Sequence, residues 1–319
     1  MKKILCVLMS CLLFVMAGCS GHSKNLKFGA ADIGGVYYSF ASTFTQLADK
    51  EIDGYTFETK TTAGSVANLR LISDGYIDLA IVQADLLSDA YNATGTFADK
   101  KYQKGYKAVA SLYTECCQIV VRKDSGITGI DDLINKTVCV GASESGTEKN
   151  AEQILKMSGI TDELINKVNM DYTEAAEKLK AGEIDAFFCT AGTRTEVIGQ
   201  LSKECDICLI SLDDKCIDKM LSAYSLCEKY TIPAGTYNGQ DSDVTTIGVK
   251  AVLIAKQSLS DDVIKNVTKT IYEHADDFKY ATSLDISFDI NTAADGVDIP
   301  FHSGAAAYYT ERGINVLTE

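Results

Sequence analysis

A two-lobed α/β fold with a cleft between the lobes is predicted by three features of the sequence. Short apolar runs alternate with amphipathic stretches along most of the chain, which is the rhythm of strands and helices in an α/β protein. That rhythm occurs twice, and the two series echo each other. Leu71-Ile-Ser-Asp-Gly75-Tyr-Ile77-Asp78 and Leu179-Lys-Ala-Gly182-Glu-Ile184-Asp185 each stop a helix at glycine and enter a buried strand through an Ile-Asp pair. Four strand-to-helix junctions are rich in Gly, Ser and Thr, where open α/β sheets gather ligands on free helix N–H groups.

In chain order, Lys2 and Lys3 precede an apolar run, Ile4 to Ala17, that is too short to span a bilayer but suits the core of a secretory signal. The run ends Val15-Met16-Ala17-Gly18-Cys19, which resembles the bacterial lipobox. The resemblance implies a signal peptide over 1–18, a diacylated Cys19 and a polar tether over 19–25, which would anchor an extracytoplasmic body to the cell membrane.

The first series then reads as strand Leu26–Phe28, helix Val36–Lys50, strand Tyr55–Thr61, helix Val66–Ser73 and strand Leu79–Val82. A strand at Gln118–Val121 leads into the second: helix Ile130–Ile134, strand Thr137–Val140, helix Glu148–Met157, strand Val168–Asp171, helix Glu174–Lys180 and strand Ala186–Phe188. Residues 26–112 with a return over 213–319 are assigned to lobe I, and 113–212 to lobe II. The ligand-collecting junctions are Gly34-Gly35, Ala63-Gly64-Ser65, Ser143-Glu-Ser145-Gly146-Thr147 and Thr190-Ala191-Gly192-Thr193, two in each lobe.

Composition narrows the function. The 319 residues carry 44 acidic and 30 basic side chains, a formal charge of −14 with no basic stripe, which argues against a protein built to grip nucleic acid. With Cys6 and Cys11 in the leader and Cys19 lipidated, eight of the eleven cysteines remain, and their pairing is not readable. Cys205-x-x-Cys208 with Cys216 and Cys227 lacks the second tight pair of a structural zinc site, so no metal is expected. Cys139 and Cys189 sit in apolar runs and read as core. No cofactor motif occurs. His22, His274 and His302 are the only imidazoles, and neither a Gly-x-Ser-x-Gly elbow nor a His-Glu-x-x-His pair is present. A secreted hydrolase is therefore the weaker alternative, and the protein is expected not to be an enzyme.

Seven segments carry a resemblance to a known family: Gly34-Gly-Val-Tyr-Tyr38; Thr62-Ala-Gly-Ser-Val-Ala-Asn-Leu-Arg-Leu71; Ile77-Asp-Leu-Ala-Ile-Val-Gln-Ala-Asp85; Val120-Val-Arg-Lys-Asp-Ser125; Val140-Gly-Ala-Ser-Glu-Ser-Gly-Thr-Glu148; Ile232-Pro-Ala-Gly-Thr-Tyr-Asn-Gly-Gln240; and Phe301-His-Ser-Gly304 with Tyr308-Tyr309. Together they resemble the solute receptors of the TAXI branch of TRAP transporters over nearly the whole mature length. The resemblance implies a type II periplasmic-binding-protein clamshell with a central ligand cleft. It also implies delivery of a small anionic or zwitterionic solute, a carboxylate or a glutamate-like amino acid, to a sodium-driven membrane permease. A receptor for an ATP-driven importer, or a ligand sensor, would share that fold.

The same resemblance implicates Tyr37, Ser65, Asn68, Gln83, Ser145, Gly146 and Thr147 as cleft residues. Ser65 and Thr147 stand at helix starts, where hydroxyl and dipole can hold a carboxylate, and Asn68 lies one turn on. Gln83 ends a buried strand and offers both donor and acceptor. Tyr37 either stacks over the solute or fills the lobe. Two residues depart from the family pattern. Asp32, in place of part of a glycine-rich run, is expected to receive a ligand ammonium, and Arg194, where the family has proline, either to fork onto a ligand carboxylate or to stay solvated.

Overall fold

The computed structural model describes residues 23–99, 105–283 and 288–319. The leader, the lipobox and most of the tether lie outside the described residues. Lys24 and Asn25, assigned to the tether from sequence, open the first strand.

The strands are β1 (Lys24–Gly29), β2 (Tyr55–Lys60), β3 (Leu79–Gln83), β4 (Tyr106–Arg122), β5 (Thr137–Cys139), β6 (Asn166–Val168), β7 (Ala186–Ala191), β8 (Ile207–Leu209), β9 (Cys227–Ile232) and β10 (Val244–Lys256). The helices are α1 (Val36–Glu51), α2 (Ser65–Ser73), α3 (Ala84–Asn92), α4 (Gly146–Met157), α5 (Tyr172–Ala181), α6 (Glu196–Glu204), α7 (Asp214–Ala223), α8 (Asp261–Glu273), α9 (Ala275–Thr282) and α10 (Ser303–Thr310). The fold class is α/β, as the sequence predicts.

The strand order is β2-β1-β3-β10-β4-β7-β5-β6, with β8 on β4 and β9 on β10. Two parallel groups, β2-β1-β3 and β7-β5-β6, are joined by the long antiparallel pair β4 and β10. Along β4, residues 106–116 pair with β10 and residues 116–121 pair with β7, so one strand serves both halves of the sheet. Nearly every residue of β4 is buried. A strand packed on both faces reads as a continuous apolar run without alternation, which is why only its end was legible.

Each half has its own core. Around β1, β3 and α1 it is aromatic: Phe40 stacks on Phe278 at 4.4 Å between ring centroids, and Phe28 meets Phe44 edge-on at 5.5 Å. Around β5, β7 and α4 it is aliphatic, with Val138, Ile154, Leu155, Ile119 and Phe188 buried together. Cys216, Ile217 and Met220 of α7, and Cys227 and Ile247 of the strands that follow, pack into this second core.

Local signals explain the boundaries. The side chains of Ser145, Asp171, Asp213 and Ser260 accept from backbone N–H groups at the starts of α4, α5, α7 and α8. The stretch predicted as helix at Ile130–Ile134 is a single 3-10 turn over Ile130–Leu133. Helices α8 and α9 break from each other at His274, whose ring bonds Asp277 and Glu51. His302 caps α10, its Nδ1 accepting the Gly304 N–H at 3.1 Å. The eight cysteines remaining after the leader are free thiols, and Cys139 and Cys189 are buried. Among the described residues no cluster of His, Cys, Asp and Glu has metal-binding geometry, and no helix is long and apolar enough to cross a membrane.

Candidate functional site

A cavity of about 40 Å³ lies where the two halves meet, room for a few waters or a compact solute. Its walls are the starts of four helices: Gly35-Val36-Tyr37 at α1, Ala63-Gly64-Ser65 at α2, Ser145-Gly146-Thr147 at α4 and Asp171-Tyr172 at α5. Gln83, Thr190 and Ala191, from the ends of β3 and β7, complete the wall, and Glu115 of β4 lines it too. Glu115 sits one residue before the point at which β4 begins to pair with the other half.

The helix starts are shaped for close approach. Gly64 has φ 120° and ψ −149°, a conformation nearly closed to side-chain-bearing residues, and it provides no side-chain cap for α2. Opposite it, a Cβ on Gly146 would run into the Gln83 side-chain amide, so a side chain there would displace that amide from its place between β3 and α4. The Gln83 Nε2 donates to Asn150 Oδ1 at 3.0 Å, tying β3 to α4.

Hydroxyl and carboxyl groups form a connected network. Tyr37 donates to Glu115 Oε2 at 2.8 Å, with Ser65 and Gln83 lining the cavity beside this pair. Ser65 Oγ accepts from the Gln83 N–H at 3.1 Å. In the second half, Tyr172 donates to the Thr190 carbonyl at 3.0 Å and meets Thr147 Oγ1, which accepts the Thr190 N–H. Burial raises the Glu115 carboxyl to about 8, and the Tyr37 hydrogen bond and the nearby Gln83 amide only partly offset it. Asp32 is raised by burial and then by the nearby Asp171 carboxylate, while the N–H groups of Ile33, Gly34 and Tyr172 pull the other way. Gln83 Oε1 and Asp32 Oδ2 are buried without a hydrogen-bond partner.

Seven of the nine residues singled out from sequence line this cavity: Asp32, Tyr37, Ser65, Gln83, Ser145, Gly146 and Thr147. Asn68 does not reach it. Its Nδ2 donates to the carbonyls of Gly29, Ala30 and Ile81, stitching the ends of β1 and β3 together one turn below the cavity. Arg194 stands outside the lining, exposed on the loop before α6 with φ 71°. Sequence reasoning missed Glu115, Asp171 and Tyr172, and it had Thr190 as part of a ligand-collecting junction without singling it out. A lone acid inside the apolar stretch Ala108–Val121 was the available signal for Glu115, because a carboxylate is rarely buried without a reason.

A two-lobed α/β sheet with its cavity at the helix starts of both halves is the type II periplasmic-binding-protein fold, and solved proteins share it. A Bordetella bronchiseptica RB50 protein is 17% identical with a TM-score of 0.54, covering 82% of this chain and 76% of that one. A putative L-cystine ABC transporter protein from Listeria monocytogenes is 14% identical, TM-score 0.52, covering 82% and 94%. PhnD1 from Prochlorococcus marinus MIT 9301, solved with methylphosphonate, is 13% identical, TM-score 0.52, covering 92% and 91%. The chain itself belongs to the NMT1-like family, whose profile matches residues 28–313.

Proposed function

We propose that this protein is an extracytoplasmic solute receptor that traps a small carboxylate or amino acid between two lobes and presents it to a membrane transporter. The observation that carries the reading is the cavity itself: helix starts from both halves of the sheet surround one small space. Small polar solutes are named for proteins of the same fold, L-cystine for the Listeria protein and methylphosphonate for the Prochlorococcus one.

The mechanism is population shift. A solute that touches both lobes only when they are together stabilises the closed state, and the membrane partner senses the change. Binding and release require no covalent chemistry. The two histidines available to a hydrolase are engaged otherwise, His302 as a buried helix cap and His274 between Glu51 and Asp277. In this reading the lobes are those assigned from sequence except that α7, packed into the second core, goes with the second lobe, and β4 and β10 are the crossing strands. Cys19 carries the lipid anchor, and the partner is the sodium-driven permease of the TRAP class, favoured by the seven matching segments. The ATP-driven importers named among the proteins of this fold make the second reading.

Thermal melting and small-angle scattering of the mature chain against a panel of amino acids and carboxylates test the receptor. A binding solute should raise Tm and reduce the radius of gyration. Consumption of a panel member with no change in either would refute the reading. Uptake by vesicles containing the permease, driven by a sodium gradient or by ATP, separates the two transporter classes.

A further inference from the structure

The cavity is short of cations. Its lining carries three carboxylates, Asp32, Glu115 and Asp171, and no lysine, arginine or histidine. Arg70, the basic residue nearest along α2, is committed to Glu144 through a two-pronged pair at 3.2 and 2.6 Å. Glu115 is 3% exposed and Gln83 2%. The ionisable groups around Glu115 are Tyr37 on α1, Asp85 on α3, Tyr113 and Cys116 on its own strand, Tyr172 on α5 and Cys189 on β7, all neutral or acidic. A carboxylate closed off from water with such neighbours is costly unless a positive charge arrives with the guest.

The unmatched hydrogen-bonding capacity points the same way. Gln83 Oε1 and Asp32 Oδ2 are acceptors that lack donors in the closed protein. A primary ammonium brings three N–H donors and a full charge, whereas a carboxylate brings none. The starts of α2 and α4, by contrast, present N–H groups and a positive dipole end, suited to one anionic group.

We propose that Glu115 is the specificity-determining residue of the cavity: it selects solutes with a protonated primary amine, whose single carboxylate lies at the starts of α2 and α4. The proposal rests on the solute-receptor reading and narrows it. A second carboxylate on the solute would find no basic side chain in the lining, so dicarboxylates without an amine are excluded. The raised proton affinity of Glu115 is the same feature seen from the other side, since burial raises it and no basic side chain in the lining holds the carboxylate ionised.

Calorimetric titration of the intact mature protein tests this with matched probes that differ only at the amine: L-alanine and L-lactate, L-glutamine and its 2-hydroxy analogue, L-glutamate and L-2-hydroxyglutarate, with succinate added. At least one amino acid should bind, at least 100-fold more tightly than its hydroxy counterpart. Glu115→Gln should bring that pair within tenfold of each other, and Glu115→Asp, which keeps the charge, should preserve the preference at weaker affinity. Both variants are checked by melting temperature. Hydroxy acids or succinate binding as tightly as the amines would overturn the proposal and leave the receptor reading standing. Discrimination that survives in Glu115→Gln would overturn it as well. If no probe of either kind binds, the proposal falls, while the receptor reading is decided by the wider panel of amino acids and carboxylates.

Discussion

Two walls of the cavity hold the halves together by opposite means. On the wall formed by α2 and α4, Arg70 forks onto Glu144, and the Glu144 carbonyl accepts the Ala67 N–H at 3.0 Å. Glu144 adopts φ 65° to make both contacts, and its own N–H donates to Glu148. On the wall formed by the β1–α1 loop and α5, two carboxylates, Asp32 and Asp171, approach each other with no basic side chain in the lining. The first wall closes on contacts internal to the protein. The second closes against like charge, so a positively charged guest selected at Glu115 would relieve it as well.

The largest expected effect falls on the wall formed by α2 and α4. Gly146→Val puts a branched side chain where a Cβ already meets the Gln83 amide, so Gln83 is driven from the cavity wall and from Asn150, and solute affinity should fall more than 100-fold, about 3 kcal/mol. Calorimetry would read this, with the melting temperature of the solute-free protein nearly unchanged. Asn68→Ala strips the donor from three buried carbonyls beneath the Asp32 loop and should cost about 2–3 kcal/mol of folding stability by denaturant titration.

A pH series sharpens the carboxylate side. Because the Glu115 carboxyl is raised from 4.5 to about 8, the folded protein holds its proton more tightly than the unfolded chain does. Stability from this group is therefore full at and below about pH 4.5 and declines as pH rises towards 8, by at most about 1.4 kcal/mol per unit. Solute-free Glu115→Gln should lose that part of the slope in melts across the window. Arg70→Ala acts on the other wall and less strongly, since both partners are about two-fifths exposed; a three- to fivefold loss in affinity is expected, about 0.6–1 kcal/mol. Smallest of all, Arg194→Ala should change affinity less than twofold, because the side chain is exposed outside the lining.

Much of the site was readable where its signals are local. Ser145 followed by Gly146 and Thr147 announces a helix start, as Gly64 before Ser65 does, and both starts line the cavity. Asn68 shows the limit of that logic. Its position one turn into α2 is as compatible with facing a ligand as with facing the sheet, and the carbonyls that claim it come from β1 and β3. Arg194 shows another limit, since a left-handed residue in a loop can send its side chain away from a neighbouring junction.

By itself the amino-acid sequence determined the α/β alternation, the duplicated plan and the helix starts, because hydrophobic period, glycine termination and capping act over a few neighbouring residues. Tertiary structure alone decided that β4 runs through both halves, that Glu115 meets Tyr37 from 78 residues away, and that Arg70 reaches Glu144. Those outcomes depend on strand pairing and on the meeting of two separately packed cores, so the charge balance of the cavity belongs to the fold and is written in no single stretch of chain.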